Sequence, residues 1–551
     1  MSSRRGYFEA LEPRAMLAGD AILHWNGVAL DIVATDHTLP GLQEHAGPTK
    51  TSRTLAIVHT AMFDAINSIL GSYEPYLVKV IGTAGADIDA AVGQAAHDTL
   101  AALYQGQAAA IDEALVDWLD LIPDGPSENL GIALGKTVAQ AILAARANDG
   151  SDLPTDYDYS PGVIGRHQPD PVTIDVAGVV QSPLTPEWGA VKPFGVLHAA
   201  SFLPPPPPSL TSAEYTAAYN EVLQIGGDGI ITPTIRTPEQ TEIGTFWAYD
   251  GTEGLCAPPR LYNQIARVIA QQQGNTEYQN ARLFCLVNIA MADAGIVGWL
   301  CKYNDDFWRP VIGIREGDLD GNPNTAGVPN WTPLGAPASN QTFPNDFTPP
   351  FPSYVSGHAV FGAALFQTLT RFYGRDNIAF SFTSDEFNGE TTNTNGVPRP
   401  EITRHFTSFS QASLENGVSR IYLGIHWRFD MTQGIAAGNK LADNIFNRLV
   451  QPLQRPLAAG TAQNMLVTYA QTSASIASMN VGDGAQRQIV MLQSKTTPTQ
   501  AIYYTANSLT QFMQQTFRQP LPGEIVLIVN TTPLSGIAGL QSLLASFSLG
   551  N

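Results

Sequence analysis

Apolar residues recur at intervals of three and four along most of the chain, the spacing that places them on one face of an α-helix. This pattern predicts long helices over residues 51–70, 90–103, 130–147, 283–301, 357–373, 410–421 and 430–450, and helices that begin at Ser212 and Pro238. Few β-branched runs interrupt them, and loops rich in proline and glycine separate them. We therefore expect an all-α core.

The long loops and a change in composition divide the chain. Residues 153–208 end in five consecutive prolines, a rigid extended spacer, and residues 317–352 form a second long loop. After about residue 457 serine, threonine and glutamine increase, and residues 523–530, GEIVLIVN, predict a strand. The expected parts are an N-terminal leader, a helical core and a small mixed C-terminal appendage of unknown role, at residues 1–20, 21–455 and 456–551.

Composition excludes several classes of protein. With 44% hydrophobic and 14% charged residues, the 551-residue chain is neither a disordered tail nor a fibre. Its 29 Lys and Arg against 49 Asp and Glu give a net charge of −20, which repels phosphate backbones and anionic membranes. We expect no nucleic-acid partner. Because basic residues are scarce, a local cluster of them is informative.

The cysteines and the most apolar segment both have simple interpretations. The three cysteines form neither a CxxC pair nor a zinc-binding spacing, so we expect buried thiols at Cys256, Cys285 and Cys301. Residues 283–301 are long enough to suggest a membrane span, but they include Asn288 and Asp293 and stand alone. We interpret them as a buried helix of a soluble protein without a membrane span.

The N-terminus carries an Arg pair but no apolar run of the length that an ordinary secretory signal needs. Residues 11–17, LEPRAML, resemble the LEPR-type leader found at the start of many extracellular bacterial proteins. That resemblance predicts an exported or extracellular protein. The alternative is a disordered start without a targeting role.

Basic and aromatic residues meet in KYNDDFWRP, residues 302–310. Lys302 and Arg309 lie seven positions apart, close to two helical turns, so we expect both cations on one helix face before Pro310 ends the helix. A solvated basic stripe is the simpler interpretation. The tryptophan, tyrosine and phenylalanine neighbours make a poor solvent face, however, and buried cations need partners. The segment therefore favours an anion site.

A second segment, FPSYVSGHAVFGAALF, begins a helix at its SGH tripeptide. Ser356 has the position of a helix N-cap, Gly357 lets a ligand approach the backbone amide, and the helix dipole favours negative charge there. His358 lies in the first turn, where an imidazole can exchange a proton with a bound group. A simple capped helix is the alternative, because short motifs match often by chance.

A third segment, SRIYLGIHWRFD, joins two predicted helices. Arg420 ends the first helix, Gly424 breaks it, and His426 lies in the turn before the second. A cation and an imidazole thus share one turn. Asp430 either orients the His426 ring or caps the following helix, and the sequence does not decide between the two.

Together the three segments supply three cationic groups, a hydroxyl, a helix N-terminus and two histidines, a set that fits a tetrahedral oxyanion. The patterns K-x6-RP, PSxxSGH and SR-x5-H-x3-D resemble the signatures of the type 2 phosphatidic acid phosphatase superfamily, in the form of its chloroperoxidase-like vanadium-dependent haloperoxidases. The resemblance covers roughly residues 21–453. It implies the helical bundle of the haloperoxidase and acid phosphatase type.

The resemblance also implies a cofactor, a reaction and a role for each motif residue. Vanadate is the implied cofactor, and hydrogen peroxide, a halide and a small organic acceptor are the implied partners; the oligomeric state stays open. Peroxide oxidises halide to hypohalous acid through a peroxovanadate. The implied vanadate-binding residues are Lys302, Arg309, Ser356, Gly357, Arg420 and His426, with His426 as the metal ligand, His358 as acid/base and Lys302 polarising the peroxide.

Two aromatic residues bear on the halide. Trp299 and Phe351 resemble halide-pocket residues of the chloroperoxidases, whereas bromoperoxidases typically carry a second histidine in place of Phe351. The implied halide is chloride or bromide. The alternative is that both are ordinary core aromatics.

The motif residues alone do not separate two chemistries. An acid phosphatase would use the same pocket for phosphate, with His426 as nucleophile and His358 protonating the leaving alcohol. The long helical region before the motifs and the aromatic pair favour the haloperoxidase. A non-catalytic exported binding protein would have lost a motif residue, and none is missing.

One acidic cluster resembles a calcium loop. It is DLDGNPN, with alternating side chains Asp318, Asp320, Asn322 and Asn324. Pro323 stands where a hand-type loop needs glycine, and no glutamate occupies the twelfth position. We expect a polar turn.

Overall fold

The computed structural model describes residues 19–38, 41, 43–172, 181–341 and 346–453, and three strands further on. Its described part is mostly α-helical, and the predicted helical core with a small mixed C-terminal part is confirmed. The helices are α1 (Ala21–Thr38), α2 (Pro48–Leu70), α3 (Ile88–Leu103), α4 (Ala108–Leu119), α5 (Pro126–Arg146), α6 (Ala213–Ile225), α7 (Pro238–Phe246), α8 (Pro258–Gln273), α9 (Glu277–Asp305), α10 (Pro310–Arg315), α11 (Gly357–Tyr373), α12 (Phe409–Tyr422) and α13 (Arg428–Arg448).

The chain divides into two compact units, Met1–Gln451 and Pro452–Asn551. The first contains an antiparallel pair of short strands, β1 (Phe380–Thr383) and β2 (Thr403–Phe406). The second contains an antiparallel sheet in the order β4-β3-β5, built from β3 (Gln488–Ser494), β4 (Ala501–Ala506) and β5 (Glu524–Asn530). The strand predicted near residue 523 is thus β5. The LEPR-type segment, residues 11–17, lies outside the described residues, and export stays a prediction.

Helix α9 is the central helix of the first unit, and α2, α11 and α13 pack against it. It begins at a capping box in which Thr276 accepts from the Gln279 amide. By length and composition α9 alone among the described helices could cross a membrane, but 94% of its most apolar window is buried inside the fold. The interpretation as a buried helix is confirmed.

The buried aspartate of α9, Asp293, anchors a distant loop. Asp293 is buried and accepts hydrogen bonds from three consecutive backbone amides, those of Phe194 (2.6 Å), Gly195 (2.7 Å) and Val196 (2.9 Å). Those bonds satisfy a carboxylate that burial would otherwise penalise. They also fasten the long loop after α5 to the core helix.

Helices α11 and α13 approach each other closely because small residues face each other across the contact. A Cβ atom on Gly438 would lie 2.4 Å from the Val360 carbonyl oxygen, so only glycine fits there. At the neighbouring turn the Ser356 amide donates to the Asp430 carbonyl oxygen at 3.1 Å. The first turns of both helices are therefore held side by side, and the site lies at that junction.

One sequence prediction is wrong: Lys302 and Arg309 do not share a helix. Helix α9 ends at Asp305, and Asp306 adopts a left-handed conformation with φ 49° and ψ 40°. Arg309 is the N-cap of α10, and Pro310 is its first residue. The reason is that proline disfavours a helical conformation in the residue before it but is well suited to the first position of a helix. Pro310 therefore begins a helix instead of ending one.

The acidic cluster after α10 forms a hydrogen-bonded polar turn. Asp320 accepts from the Asn322 amide at 2.7 Å and from the Thr325 hydroxyl at 2.7 Å. Asp318 accepts from the Gly327 amide at 2.9 Å. These carboxylates therefore close the loop on itself. The three cysteines are buried free thiols, as predicted.

Candidate functional site

A cavity of about 230 Å³ lies at the N-terminus of α11. The second and third sequence segments both line it, through Gly357 and His358 in the one and Arg420 and His426 in the other. The remaining predicted residues of the oxyanion set are next to this lining: Arg309 lies 2.9 Å from His426, Lys302 lies 4.9 Å from the centre of the Phe351 ring, and Ser356 directly precedes Gly357. The structure thus brings the three segments together.

Lys302, in the last turn of α9, is completely buried. Its ammonium donates to the backbone oxygens of Pro352 (2.7 Å) and Ser353 (3.0 Å), which leaves one of its three N–H groups for another acceptor. The nitrogen also lies 4.9 Å from the centre of the Phe351 ring. Burial, and then the nearby Arg309 charge, lower the pKa of Lys302 well below its usual value. A bound anion would oppose both influences, because a nearby negative charge stabilises the protonated ammonium.

Arg309, the N-cap of α10, contacts the cavity-lining residues Phe351 and His426. Its Nε donates to the Phe351 carbonyl (2.9 Å), and its Nη1 donates to the Ile425 carbonyl (2.8 Å) and lies 2.9 Å from Nε2 of His426. Its Nη2 is buried and has no hydrogen-bond partner among the described residues. Burial lowers the pKa of this guanidinium to about 9.

Arg420, at the end of α12, is held by a partner that the sequence motifs do not contain. Its Nη2 donates to both carboxylate oxygens of Asp250, at 2.7 and 2.8 Å, and the two side chains are only 1% and 5% exposed. The pKa of Asp250 lies above its usual value, because burial raises it more than the Arg420 charge lowers it. The Nε and Nη1 atoms of Arg420 are buried without a partner in the described part of the chain. Two donors of this guanidinium are therefore left for a ligand.

His426 occupies the turn that Gly424 opens with a φ of 72°. Its Nδ1 lies 2.8 Å from Oδ2 of Asp430, and a carboxylate oxygen there requires Nδ1 to carry the proton. Nε2 then bears the lone pair, and it accepts from Arg309. Burial, followed by the nearby cationic side chains, lowers the pKa of His426 well below its usual value, so the imidazole is neutral.

Asp430 also caps α13, because its Oδ2 accepts from the Trp427 amide at 3.0 Å. The Ser353 hydroxyl donates to the same oxygen. Burial raises the pKa of Asp430 to about 6. Asp430 therefore both orients the His426 ring and caps α13, the two roles between which the sequence did not decide.

His358 lies in the first turn of α11 with its Nε2 2.6 Å from the Ala248 carbonyl oxygen. A carbonyl accepts only, so Nε2 carries a proton and Nδ1 is the free basic atom. Burial, and then the Arg420 charge, lower the pKa of His358 well below its usual value. Beside it, Ser356 caps the helix by accepting from the Ala359 amide at 3.4 Å, which leaves its O–H to donate.

The aromatic pair lines the cavity next to the cations. The ring centres of Trp299 and Phe351 are 5.0 Å apart, and the Phe351 ring also lies 4.8 Å from the Arg309 guanidinium. The indole N–H of Trp299 donates to the Leu184 carbonyl at 3.0 Å, so Trp299 presents ring carbons to the cavity. Both aromatics are thus cavity lining and core packing at once.

The donor set fits a tetrahedral oxyanion. Three cations face two carboxylates, Asp250 and Asp430, and the guanidinium nitrogens Arg309 Nη2, Arg420 Nε and Arg420 Nη1 are buried without protein partners in the described chain. Leaving a buried donor unpaired costs about 1–3 kcal/mol. An anion with several oxygens would satisfy these donors and the local positive charge together.

Sequence reasoning missed three contributors to this geometry: Asp250, Ser353 and the Ala248 carbonyl. Asp250 and Ala248 lie in the loop between α7 and α8, outside every motif. Nothing local in WAYDG marks that loop as part of the site. Ser353 lies inside the PSxxSGH motif, and its place in that motif is the signal that could have identified it as a site residue.

Comparison with known proteins places the same region in one family. The family model described as the VCPO second helical-bundle domain matches residues 282–455, which include the three segments. The vanadium chloroperoxidase of Curvularia inaequalis is 34% identical over 491 residues, covering 74% of this chain and 78% of that protein.

Solved structures share the fold. A bacterial vanadium-dependent iodoperoxidase is similar with a TM-score of 0.62 and 24% identity, over 78% of this chain and 97% of that chain. The apo form of a bacterial vanadium-dependent chloroperoxidase is similar with a TM-score of 0.57 and 17% identity, over 73% of this chain and 94% of that one. At these identities the likeness concerns the fold.

Proposed function

Because this chain belongs to the vanadium-dependent haloperoxidase family, we propose that it is a vanadate-dependent peroxidase that oxidises chloride or bromide with hydrogen peroxide to hypohalous acid. The observation that carries the proposal is that Arg420 and two neutral histidines line one cavity, with two further buried basic side chains, Lys302 and Arg309, next to its lining residues and with guanidinium donors left unpaired among the described residues. Such a cradle suits an oxyanion of several oxygens.

The residues that would hold vanadate are those of the three segments. Lys302, Arg309 and Arg420 would neutralise its oxygens, the Ser356 hydroxyl and Gly357 amide would donate to them, and Nε2 of His426 would bind the metal. Bound vanadate supplies a Lewis-acidic centre that makes a peroxide oxygen electrophilic without changing the oxidation state of the metal. Asp430 keeps the His426 proton on Nδ1 and so leaves the Nε2 lone pair for the metal.

His358 is the proposed proton carrier. Its Nε2–H is engaged by the Ala248 carbonyl, so Nδ1 is the atom that takes a proton from incoming peroxide and later returns it. Because burial and Arg420 hold its pKa well below the usual value, the imidazole is free to accept at neutral pH.

The aromatic wall formed by Trp299 and Phe351 is consistent with a halide substrate that loses its hydration water before it reacts. Trp299 and Phe351 present carbon atoms beside the cations, and apolar lining excludes water from the reacting halide. Relatives include a chloroperoxidase and an iodoperoxidase by name. Chloride, the smallest and most strongly hydrated of these halides, loses the most hydration beside such a wall, so the neighbouring cationic side chains must offset that cost.

The test is halide-dependent consumption of hydrogen peroxide by the purified full-length chain, with and without added orthovanadate, for chloride, bromide and iodide. We expect turnover only with vanadate, and its loss in His426→Ala. The matched control is His405→Ala, which removes an exposed histidine of β2 hydrogen-bonded to Ser381. Equilibrium dialysis of vanadate against both variants gives a readout independent of activity.

The outcome that would overturn the proposal is specific. A protein that oxidises no halide but hydrolyses phosphate esters when free of vanadate, with His426→Ala inactive, would be an acid phosphatase that uses the same cavity.

A further inference from the structure

We propose that Glu386 is a positioning residue of the site, which acts by holding the loop that orients His358 and Arg420. The inference rests on the proposed function, because it concerns the acid/base histidine and a vanadate-binding cation. Glu386 belongs to none of the three motif segments and is not among the residues that line the cavity. It acts through the loop between α7 and α8, residues 247–257, which we call the site loop.

The site loop serves both functional side chains from two nearby positions. The Ala248 carbonyl oxygen lies 2.6 Å from Nε2 of His358, and the Asp250 carboxylate accepts from Arg420 at 2.7 and 2.8 Å. These two contacts come from the residues on either side of Tyr249. The backbone conformation of Tyr249 therefore sets the direction of both contacts at once.

Tyr249 adopts a backbone conformation that the chain does not favour by itself. Its φ is 48°, in the left-handed region that residues with bulky side chains rarely occupy. Such a conformation persists only where the surrounding structure imposes it. The site loop therefore needs contacts from outside to keep Ala248 and Asp250 in place.

Glu386 supplies a contact at the centre of this conformation. Its Oε1 accepts from the Tyr249 amide at 3.3 Å, and both residues are 0% exposed. Its Oε2 accepts from the Ser339 hydroxyl at 2.6 Å and from Nη1 of Arg399 at 2.7 Å. One carboxylate oxygen is thus fixed by distant residues, while the other holds the site loop.

The two residues before Glu386 fasten the same region. The Ser384 hydroxyl donates to the Phe246 carbonyl at 2.7 Å, immediately before the site loop. The Asp385 amide donates to the Tyr249 hydroxyl at 2.8 Å. Three consecutive residues therefore contact this region, and Glu386 is the one that contacts the backbone of Tyr249.

Loss of the Glu386 contact would change the site in two ways. The Nε2–H group of His358 would lose its fixed carbonyl acceptor, so the proton would be free to move to Nδ1, the atom that has to accept a proton from peroxide. Arg420 would lose the fixed carboxylate that directs its remaining donors. The first change slows proton transfer, and the second weakens vanadate binding.

Glu386→Gln tests the contact to the site loop, because it replaces one carboxylate oxygen with an NH2 group and keeps the shape. The remaining oxygen pairs with the charged Arg399 guanidinium, the stronger donor, so the NH2 group faces the Tyr249 amide, donor against donor. We expect vanadate binding, measured by equilibrium dialysis, to weaken at least about tenfold. The kcat of halide-dependent peroxide consumption should fall at least about tenfold, with little change in the KM for peroxide.

Ser339→Ala is the matched control, because it removes a donor to Oε2 and leaves the Tyr249 amide on Oε1. Whatever stability it loses in urea unfolding, it should keep the vanadate affinity and kcat of the wild type. If Ser339→Ala lowers vanadate affinity as much as Glu386→Gln, Glu386 serves only the fold and the inference fails.

A double variant, Glu386→Gln with Arg399→Met, tests the mechanism by rescue. Without the guanidinium, the carboxamide is free to turn its oxygen toward the Tyr249 amide and its NH2 group toward the Ser339 hydroxyl, which also accepts. We expect the double variant to bind vanadate more tightly than Glu386→Gln alone, although it lacks a further native hydrogen bond. A residue that only stabilises the fold would give the reverse order.

A spectroscopic readout is independent of turnover. Nitrogen NMR of the vanadate-free protein with isotope-labelled histidine distinguishes the two imidazole tautomers, and the His358 signal is identified by its absence in His358→Gln. We expect the Nε2–H tautomer in the wild type and in Ser339→Ala, and a mixture of tautomers in Glu386→Gln. If Glu386→Gln does not fold, Glu386→Asp, which keeps the charge but retracts the carboxylate by one methylene, should show the same mixture.

The outcomes for the proposed function and for this inference are distinct. If the wild type consumes no peroxide with any halide, the proposed function fails, while dialysis and NMR still test Glu386. If the wild type turns over and the folded Glu386 variants equal it in kcat, vanadate affinity and tautomer, only this inference fails. The full-length chain is measured at about pH 8.5, where the Glu386 carboxylate is charged, because burial raises its pKa to about 7.

Discussion

The Oδ2 atom of Asp430, in the first turn of α13, lies 2.8 Å from Nδ1 of His426, in the loop before that helix. The same oxygen accepts the Trp427 amide at 3.0 Å and thereby caps α13. One carboxylate thus fixes the tautomer of the imidazole and the start of the helix that follows it. Any substitution of Asp430 must disturb the site and the fold together, and the two effects can be measured separately.

We expect Asp430→Asn to weaken vanadate binding by about 10–100-fold, the usual effect of losing a hydrogen-bond partner of a ligating histidine. An amide in this position can donate to Nδ1, which would shift the proton to Nε2 and block it. The cap should weaken by about 1 kcal/mol. Equilibrium dialysis of vanadate and urea unfolding measure the two effects.

Ser353→Ala is the control for this prediction, since it removes one donor to Asp430 but leaves the contact between Asp430 and His426. It should lower vanadate affinity less than Asp430→Asn. Equal losses in both variants would mean that the carboxylate acts through its total hydrogen bonding and not through the histidine tautomer.

The buried pair of Asp250 and Arg420 predicts an asymmetric response to substitution. Asp250→Ala leaves a buried guanidinium charge without its partner and should lower the free energy of unfolding by about 3–5 kcal/mol. Arg420→Ala should cost less, because burial already raises the pKa of Asp250, and the carboxyl can take up a proton when the Arg420 charge is gone. Urea unfolding of the vanadate-free protein at neutral pH measures both.

The matched control breaks an exposed pair. Asp443→Ala removes the partner of Arg371, whose side chains are 33% and 45% exposed, and should cost no more than about 1 kcal/mol. If Asp250→Ala is no more damaging than this control, the Arg420 charge is compensated by something other than Asp250.

Protein packing does not require glycine at position 357, and we expect the ligand to require it. An added Cβ would lie 3.6 Å from the nearest Trp299 ring carbon, an ordinary contact, yet it would point into the cavity lining. Gly357→Ala should therefore fold with wild-type stability, within about 1 kcal/mol, and bind vanadate at least tenfold more weakly. Thermal unfolding and vanadate dialysis test the two halves of this prediction.

Gly374→Ala is the matched control and should show the opposite pattern of effects on stability and vanadate binding. Gly374 ends α11 with a φ of 68°, which an alanine adopts only with strain. This variant should lose stability and retain its vanadate affinity. A stability loss in Gly357→Ala of the same size would show that the glycine serves the fold.

Local signals explain which parts of this molecule the sequence predicts well. Helix α11 has the predicted bounds, 357–373, because Ser356 and Gly374 are strong start and stop signals. The helix break between Lys302 and Arg309 was missed although Pro310 was noticed, since proline ends one helix or begins another with the same local chemistry. Only the fold decides which.

Long-range partners explain what the sequence could not predict. Asp250 meets Arg420 across 170 positions, and no motif marks it because a single carboxylate in a loop has many uses. The motif residues, by contrast, were recognisable as a set through their types and spacing. Three short segments were enough to predict the anion site, while its supporting contacts depend on how distant loops pack.

The acidic group at the start of α9 predicts a pH-dependent stability. Burial, and then the charges of Asp89 and Asp20, raise the pKa of Glu277 to about 8 from its ordinary value of 4.5. The folded state therefore holds this proton more tightly than the unfolded state. Its contribution to stability is complete below pH 4.5 and is lost as the pH rises toward 8.

Glu277→Gln removes this titration while a side-chain oxygen remains to accept from the Ala21 amide. The variant should match the wild type at about pH 4.5 and exceed it by at least about 1 kcal/mol near pH 8.5, since each shifted pKa unit corresponds to about 1.4 kcal/mol. Urea unfolding at the two pH values measures the difference. Glu214→Gln, an exposed change in the first turn of α6, should alter stability equally at both. A Glu277→Gln effect that is the same at both pH values would show that this carboxyl is charged throughout the range.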